Sequence, residues 1–425
     1  MGPFLLISLC AGMALTIPVA ASILIASALA LQLYTELPSV IVVQQVFSAL
    51  DKFPLAAIPF FIAAGNLMEL GGLSERLVDL SRSMVRRIQG GLAIACVLTC
   101  MLFSSVSGSS VATAFAVGAI LIPAMARNGY PLPWAASLQA ASAELGAIIP
   151  PSIPMILYGL AVNVSISELF VAAIVPGILV GIGLIVFVVI WSRATGHGRG
   201  DRFDDISTWQ ALRRAAWPLA MPVLILGGIY GGVFTPTEAS IVAVLFALFV
   251  GTAVYRSLDL AALRTALYRS VVQSAGIMLI IASAGLFGFL ITQAGLPAAI
   301  SRWLSATFST PIAFLVAVNV MLFVIGMFLE TSVAILVLAP ILVPVAVALG
   351  VDPVHFGVIM IVNLALGMIT PPFGVNLFAA ASVARISVER MLPHLAWLVV
   401  TIVICLMLIT FLPDLSLVMR DWVYR

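Results

Sequence analysis

Long apolar runs separated by short polar loops dominate the chain, and they are too long to be strands. A helix that crosses the apolar core of a bilayer needs about 20 residues. Unbroken runs of this kind also exclude an outer-membrane barrel, whose strands alternate polar and apolar positions. Nine segments predict crossings: 3–33, 53–71, 134–162, 168–191, 215–233, 236–255, 268–294, 354–384 and 391–412.

The first segment, 3–33, lacks the basic residues with which a signal peptide begins, and it is longer than the apolar region of a signal peptide. It is therefore predicted to be a membrane helix that is not cleaved off. Two further apolar stretches, 90–126 and 312–349, have small polar residues near their middles. This profile favours a hairpin that enters and leaves the membrane on one side. Segments 134–162 and 354–384 each contain a Pro-Pro pair and predict broken helices.

The polar segments predict interfacial helices and helix starts. Apolar residues on one face of 73–88 oppose arginines and an aspartate, which is typical of a helix lying along the membrane surface; 297–308 is a weaker counterpart. Three Ser/Thr-x-x-Glu/Gln patterns, at 165–168, 207–210 and 235–238, predict helix N-termini. Glu238 is therefore expected to cap a helix rather than to line an ion path.

The composition narrows the class of protein. The chain of 425 residues is 63% apolar and 8% charged, with a mean hydropathy of +1.23. Soluble domains average about 45–50% apolar and about 25% charged residues. A soluble globule, a disordered chain and a nucleic-acid-binding protein are therefore excluded. The four cysteines lie in apolar runs and predict packing residues. Three histidines are too few for a His-based metal site.

The distribution of arginine predicts the topology. With the amino terminus inside and each hairpin returning to its own side, 15 of the 19 basic residues fall in cytoplasmic loops. Only Lys52, Arg302, Arg420 and Arg425 fall outside. Counting either hairpin as a crossing would flip every later loop and destroy this separation. The charges therefore support the two hairpins independently of their apolar profile.

An internal repeat appears when the chain is compared with itself at a shift of 221 residues. Gly146 matches Gly367, the pair at 150–151 matches the Pro-Pro pair at 371–372, and Pro123, Gly129 and Ile120-Leu121 also find identical partners. Five crossings separate the hairpins, so the second copy is inverted. The predicted units are 1–192 and 236–425, joined by a cytoplasmic loop and connecting helix over 193–235.

The inversion brings the two hairpin tips together at mid-membrane, each beside a Pro-Pro break. The tips read SSVSGSS over 104–110 and FLETS over 328–332. Non-helical backbone inside a membrane leaves polar groups unpaired, at a cost of several kcal/mol each, unless something binds them. Sodium suits carbonyl and hydroxyl oxygens. Close packing of small residues is the alternative, but two related motifs that each face a break favour binding of ions and substrate.

An anionic substrate would meet few charges here. No Lys or Arg occurs over 88–126, 128–192 or 303–384, so helix amino termini, hydroxyls, bound cations and the amides of Asn363 and Asn376 would hold it. Glu144 and Glu330 are the only carboxylates near the breaks. Each is either a coupling group or a hydrogen-bonded residue that stabilises its loop, and the sequence leaves both possibilities open.

These motifs resemble a known family. The tip SGSS over 107–110, GAIIPPSIP over 146–154, GMITPPFGVN over 367–376 and PFFIAAGNLMELGG over 59–72 are similar to the large membrane subunit of tripartite ATP-independent periplasmic (TRAP) transporters. The resemblance covers nearly the whole chain. It implies an all-α inverted-repeat fold and an elevator motion. It further implies sodium-driven import of an organic acid across a bacterial inner membrane, and no enzymatic activity.

The resemblance also implies partners and sites. The partners are a periplasmic substrate-binding protein and a small four-helix membrane subunit, which must be a separate chain because this one has no room for it. The implied sodium ligands are Ser107, Ser109, Ser110, Gly146 and Pro150 in the first half, with Thr331, Ser332, Gly367 and Thr370 in the second. The candidate substrate-binding residues are Gly108, Ser152, Asn363, Gly374 and Asn376.

Three alternatives remain. A stand-alone ion-coupled carrier of organic anions would have the same inverted-hairpin architecture. A membrane enzyme would need a nucleophile–base pair, a metal cluster or paired carboxylates at depth, and the sequence contains none of these. A channel fits poorly, because two hairpins that enter from opposite faces favour alternating access.

Overall fold

The computed structural model describes residues 1–199, 207–307 and 310–424, and every regular element in these ranges is helical. The helices are α1 (Gly2–Ala14), α2 (Val19–Tyr34), α3 (Val40–Leu50), α4 (Ala57–Leu70), α5 (Leu73–Val85), α6 (Gly91–Ser107), α7 (Ser110–Arg127), α8 (Leu132–Ala143), α9 (Leu145–Ile148), α10 (Ile153–Val162), α11 (Ile166–Thr195), α12 (Thr208–Tyr230), α13 (Pro236–Phe249), α14 (Leu260–Gln293), α15 (Leu296–Thr307), α16 (Pro311–Gly326), α17 (Thr331–Ala348), α18 (Pro353–Gly367), α19 (Val375–Ala384), α20 (Leu392–Phe411) and α21 (Asp414–Tyr424).

Within the described ranges, eight helices are long and apolar enough to cross a membrane, or nine if the bent pair α8–α10 counts as one span. The bend between Leu132–Ile148 and Ile153–Val162 is 42° and falls at the first Pro-Pro pair. The second pair separates α18 from α19 in the same way. Both predicted helix breaks are therefore present.

The prediction of one helix over 3–33 is wrong. Thr16 has a left-handed φ of 60°, and Pro18 starts a second helix, so the chain turns back between α1 and α2. The rings of Phe4 and Tyr34, at the far ends of the two helices, lie 5.2 Å apart. At 1.5 Å per residue, neither helix alone spans the roughly 30 Å apolar core of a bilayer. The run carries no charge, and Gly12 and Pro18 are the only signals of a turn within it.

This hairpin also changes the position of the amino terminus. Gly2 packs against Leu296, which follows the carboxyl end of α14. Lys52 and Thr292 line one cavity, so Lys52 lies at that same end of α14. The amino terminus thus lies at the end of the bundle that carries Lys52, opposite to its predicted position.

The loops rich in arginine gather at the other end of the bundle. The Tyr255 hydroxyl donates to the Arg214 carbonyl at 2.8 Å, and the Ser257 hydroxyl to the Gly71 carbonyl at 2.6 Å. The side chain of Gln89 donates to the Ser192 carbonyl at 2.8 Å. Loops predicted to share a side of the membrane therefore contact one another.

Two helices were not predicted. The first, α3, has no buried residue. The second, α21, packs against α11, and its Arg420 lies 2.7 Å from the Asp352 carboxylate at the start of α18. The Tyr158 hydroxyl donates to the Pro353 carbonyl at the same end.

Helix contacts occur in pairs that the 221-residue shift interchanges. Helix α2 packs on α14, as α13 packs on α4. Helix α7 packs on α19, as α17 packs on α10, and α8 packs on α20, as α18 packs on α11. This interchange is what a two-fold relation between two copies requires.

The helix starts follow the predicted caps. Capping boxes form at Ser207 with Gln210 and at Thr235 with Glu238, and Ser165 accepts a hydrogen bond from the Glu168 amide. The predicted capping role of Glu238 is therefore confirmed.

We expect the amino terminus to lie on the same side of the membrane as Lys52. An epitope tag before Met1 and a single reactive cysteine in place of Lys52 should be reached from the same side of intact spheroplasts, because α1 and α2 form a hairpin. Antibody binding and thiol labelling measure this. Accessibility from opposite sides would show that residues 2–34 cross the membrane.

Candidate functional site

Both hairpin tips and the helices beside both breaks line one small central cavity of about 60 Å³. Its lining residues are Gly108, Ser109, Ser110, Val111, Ala147, Ile153, Pro154, Ile277, Glu330, Thr331, Ser332 and Met368. The two tips therefore lie close together, as predicted. Of the predicted site residues, Gly108, Ser109, Ser110, Thr331, Ser332 and Glu330 face this cavity directly.

The first tip approaches its break through two glycines. Gly108 ends α6 with a left-handed φ of 59°, and its carbonyl accepts a hydrogen bond from the Ile153 amide at 3.3 Å. A Cβ atom on Gly108 would lie 2.7 Å from the Pro151 carbonyl oxygen. One on Gly146 would lie 2.6 Å from the Ser109 carbonyl oxygen. Only glycine permits this backbone contact.

Oxygen atoms cluster at the first tip. The Thr113 hydroxyl donates to the Ser109 carbonyl at 2.8 Å and lies 3.2 Å from the Ser107 hydroxyl. Ser107 itself lies 3.4 Å from the Ser109 carbonyl. Thr113 was not among the predicted site residues. Its position four residues after Ser109, one helical turn on, is the signal that would have indicated it.

The first break packs directly behind this tip. The Ser152 hydroxyl donates to the Ala147 carbonyl at 2.5 Å, and Pro150, like Ser152, is buried. Neither residue lines the central cavity. Ser152 thus satisfies the backbone of the break rather than facing the space where a substrate would lie.

The second tip repeats the arrangement. A Cβ atom on Gly367 would overlap the backbone of Gly326. The Phe373 amide donates to the Met327 carbonyl at 3.1 Å, which joins the break to the tip. Two hydroxyls are engaged locally: that of Thr331 with the Met368 sulfur at 2.9 Å, and that of Thr370 with the Leu366 carbonyl at 3.0 Å.

Glu330 caps α17. Its carboxylate accepts from the Ser332 amide and the Ser332 hydroxyl, both at 2.9 Å, and from the Val333 amide at 3.4 Å. A carboxylate at a helix amino terminus is stabilised by the unpaired amides there. These contacts are those of the loop-stabilising alternative.

Glu144 behaves differently, because it joins the two repeats. Its Oε1 lies 2.6 Å from the Asn376 amide nitrogen, and both side chains are fully buried. Glu144 Oε2 and Asn376 Oδ1 have no hydrogen-bond partner within the described ranges. Neither residue lines the central cavity. The pair therefore links the first broken helix to the second beside the site.

Two other candidate substrate-binding residues lie outside the cavity. The Asn363 amide donates to the carbonyl and side-chain oxygens of Asn319 at 2.9 and 2.7 Å, and so packs α18 onto α16. Gly374 precedes α19 and is buried against the backbone of Met368 and Ile369. The position of Asn363 inside an apolar run correctly indicated a buried polar side chain. It did not indicate the face of the helix on which that side chain lies.

A larger cavity of about 600 Å³, the Arg269 vestibule, opens from the first tip towards the arginine-rich end. It lies between α4, α5 and α14 on one side and α7 and the end of α19 on the other. Ser109 and Val111 line both this vestibule and the central cavity, so the two spaces adjoin. The vestibule continues past Asn66 to Glu69 and Arg269.

A cavity of about 230 Å³, the Lys52 vestibule, lies between α10, α14 and α17. It shares no lining residue with the central cavity. Its Leu336 and Pro340 stand 221 residues after Phe115 and Ala119 of the Arg269 vestibule. The two vestibules are therefore counterparts in the repeat, but only one reaches the tips.

Comparison with known proteins identifies the family. Residues 6–415 match the family described as "Tripartite ATP-independent periplasmic transporter, DctM component". This chain belongs to the DctM family. The C4-dicarboxylate TRAP transporter large permease protein DctM of Pseudomonas aeruginosa is 41% identical over 89% of this chain and 88% of its own length. The 2,3-diketo-L-gulonate large permease YiaN of Escherichia coli is 36% identical over 97% of both chains.

This DctM-family chain is thus a multi-pass transporter permease subunit, and the relatives described here are transporter subunits rather than enzymes. It spans 63% of the length of the isethionate permease DctMQ of Oleidesulfovibrio alaskensis, with 39% identity. The YdaH transporter of Alcanivorax borkumensis shares the fold, with a TM-score of 0.63 over 90% of this chain and 87% of that one, at 17% identity.

We expect Gly146→Ala to destabilise the protein by about 1–3 kcal/mol, the usual cost of overpacking. The new methyl group would meet the Ser109 carbonyl, and the tip would have to move. The melting temperature of the purified protein measures this. Gly288→Ala is the matched control, because a Cβ there meets nothing within 4 Å. Equal melting temperatures for the two variants would contradict the close approach.

We expect Glu144→Ala to destabilise the protein by about 1–3 kcal/mol, because it leaves the buried Asn376 amide without its partner. Glu144→Gln keeps an acceptor oxygen and should retain most of the stability. Melting temperatures of the two variants test the contact. If alanine and glutamine behave alike, the hydrogen bond between the repeats is not important for stability.

Proposed function

We propose that this chain is the large permease subunit of a sodium-coupled secondary transporter that imports an organic acid. The central observation is that both tips and both broken helices, from two related halves, meet around one cavity. Inverted repeats with broken helices at mid-membrane are typical of the binding sites of transporters. The transporter relatives of this family support the same conclusion.

Sodium fits the groups at the tips. The oxygens of Ser107, Ser109 and Thr113 cluster within 3.4 Å of one another, and oxygen is the ligand that hard cations prefer. We assign a first sodium site to this tip and its break, and a second to Thr331 and Ser332 with theirs. The bound ions would neutralise carbonyl dipoles that the lipid interior cannot solvate.

An anionic substrate fits the helix ends. Helices α7, α10 and α17 each begin at the central cavity, so three amino termini lie there. Helix amino termini bind anions through free amides and the helix dipole. Because 60 Å³ is small for an organic acid, the acid would extend into the adjoining Arg269 vestibule. C4-dicarboxylate, sugar-acid and sialic-acid permeases among the relatives support this substrate class.

Alternating access would operate by an elevator motion. In this proposal α6–α7 and α16–α17 are re-entrant hairpins that move with the broken helices, while α4 and α14 form the scaffold. The vestibule that reaches the tips opens at the arginine-rich end, which the charge rule places in the cytoplasm. The described arrangement is therefore the inward-open state.

The partners and orientation complete the proposal. A periplasmic binding protein would deliver the acid, and a small four-helix membrane subunit would join the scaffold in a bacterial inner membrane. The fusion of subunits in the DctMQ relative supports the second partner. The carboxyl terminus would be periplasmic. The amino terminus lies at the Lys52 end and would be periplasmic too, unlike in the sequence-based topology.

The runner-up is a stand-alone ion-coupled carrier of the same architecture. The experiment that separates the two is uptake in proteoliposomes with and without a sodium gradient, using succinate, N-acetylneuraminate and isethionate. Uptake that needs the small subunit and binding protein supports the tripartite assembly. Full uptake by this chain alone supports the stand-alone carrier, and sodium-independent uptake would reject sodium coupling.

We expect bulky replacements at the tips to abolish sodium-dependent uptake. Ser109→Phe and Thr331→Phe would fill the central cavity and displace the tip oxygens, while the rest of the helix packing remains. Initial uptake rates against sodium concentration measure the effect. Thr331→Ser retains the hydroxyl and should keep the sodium dependence. Unchanged sodium dependence in the phenylalanine variants would reject the assigned sites.

A further inference from the structure

Each vestibule is lined by a single basic side chain. Lys52 lines one and Arg269 the other, and no other lysine or arginine lines either cavity within the described residues. In the repeat, Lys52 matches Gln273, which lies one helical turn after Arg269 and also lines the Arg269 vestibule. The two cations therefore occupy nearly equivalent positions at opposite ends of the bundle.

These cations lie on the route that an anion would follow. The tips and breaks carry no basic residue, so the first positive charge between the tip and the arginine-rich end along the vestibule is Arg269. Its side chain is 49% exposed. On the other side Lys52 is exposed at the vestibule wall. A positive charge in a cleft with apolar walls raises the local concentration of anions.

We propose that Lys52 and Arg269 are paired carboxylate contacts, one for an organic acid that enters and one for the acid that leaves. The inference rests on the proposed function and adds to it a recognition site in each vestibule. Lys52 contacts a carboxylate of the acid before the central site at the tips opens to the Lys52 side. Arg269 contacts the acid after the first tip has released it.

The two contacts differ in strength. Lys52 makes no ion pair within the described ranges, so it is free to capture an anion. The Arg269 guanidinium lies 3.5 Å from the Glu69 carboxylate, and Glu75 adds a second negative charge to the same wall. An acid must therefore compete with Glu69 for Arg269. This competition makes the inner contact weak, which favours release into the cytoplasm.

The sidedness of the effect is the test. The full complex is reconstituted in proteoliposomes of known orientation, and the half-saturating concentration of the transported acid is measured from each side by exchange. Lys52→Gln should raise it roughly fivefold from the Lys52 side alone, the size expected for one partly exposed charge contact. Arg269→Gln should raise it from the Arg269 side alone and by a smaller factor, because Glu69 already competes for Arg269. Lys52→Arg and Arg269→Lys should restore most of the affinity.

Matched controls remove the same charge at the same ends. Arg302→Gln and Arg264→Gln alter exposed arginines that line neither vestibule. Glu69→Gln frees Arg269 and should lower the half-saturating concentration from the Arg269 side and slow turnover. Glu75→Gln removes an equal charge from the same wall but leaves the contact between Glu69 and Arg269 intact. It should therefore change the half-saturating concentration and the turnover much less than Glu69→Gln does.

The outcomes are distinct. If Lys52→Gln and Arg269→Gln match their controls, or change both sides equally, the vestibule contacts are rejected while the transporter assignment stands. If the unchanged complex accumulates none of succinate, N-acetylneuraminate and isethionate, the proposed function itself is rejected, and the vestibule contacts with it. Sided changes that the conservative variants reverse support the proposal.

Discussion

Backbone polar groups at the centre of an apolar helical bundle are the constraint on which this structure depends. Each helix that stops inside the bundle leaves amides and carbonyls without intrahelical partners, and no lipid can supply them. In this fold, each of the two Pro-Pro breaks packs against a hairpin tip. Gly146 against Ser109, and Gly367 against Gly326, bring the backbones into contact, and hydrogen bonds such as Ile153 to Gly108 join them. Both tips then line one small shared cavity.

Repetition gives the two halves the same parts but not the same chemistry. Glu330 caps α17 where the first half has Ser109, and Glu144 stands where the second half has Ala365. Glu144 reaches across to Asn376, so a residue present in one half only connects the two. The vestibules show the same departure from symmetry, since one adjoins the tips and the other does not. The proposed alternating access predicts such an imbalance in any single state.

Residues predicted for the site lie at the central cavity where backbone geometry decides their position. A left-handed φ and a close approach to the Pro151 carbonyl require glycine at position 108, and Ser109 and Ser110, which follow it, line the central cavity. Where only polarity was available, the sequence did not indicate the direction in which a buried side chain faces. Asn363 lies on the face of α18 towards α16. A buried amide needs a partner, but a sequence does not show which neighbouring helix provides it.

The sequence by itself determined the helical membrane class, the repeat and the two breaks, because apolar length, proline and glycine act locally on the chain. The tertiary structure decided the hairpin over residues 2–34, the link between Glu144 and Asn376 and the connection of one vestibule to the tips. These features depend on contacts between residues distant in the chain, or on a turn inside a long run without charged residues. Only tertiary packing decides which face of an apolar helix contacts which neighbouring helix.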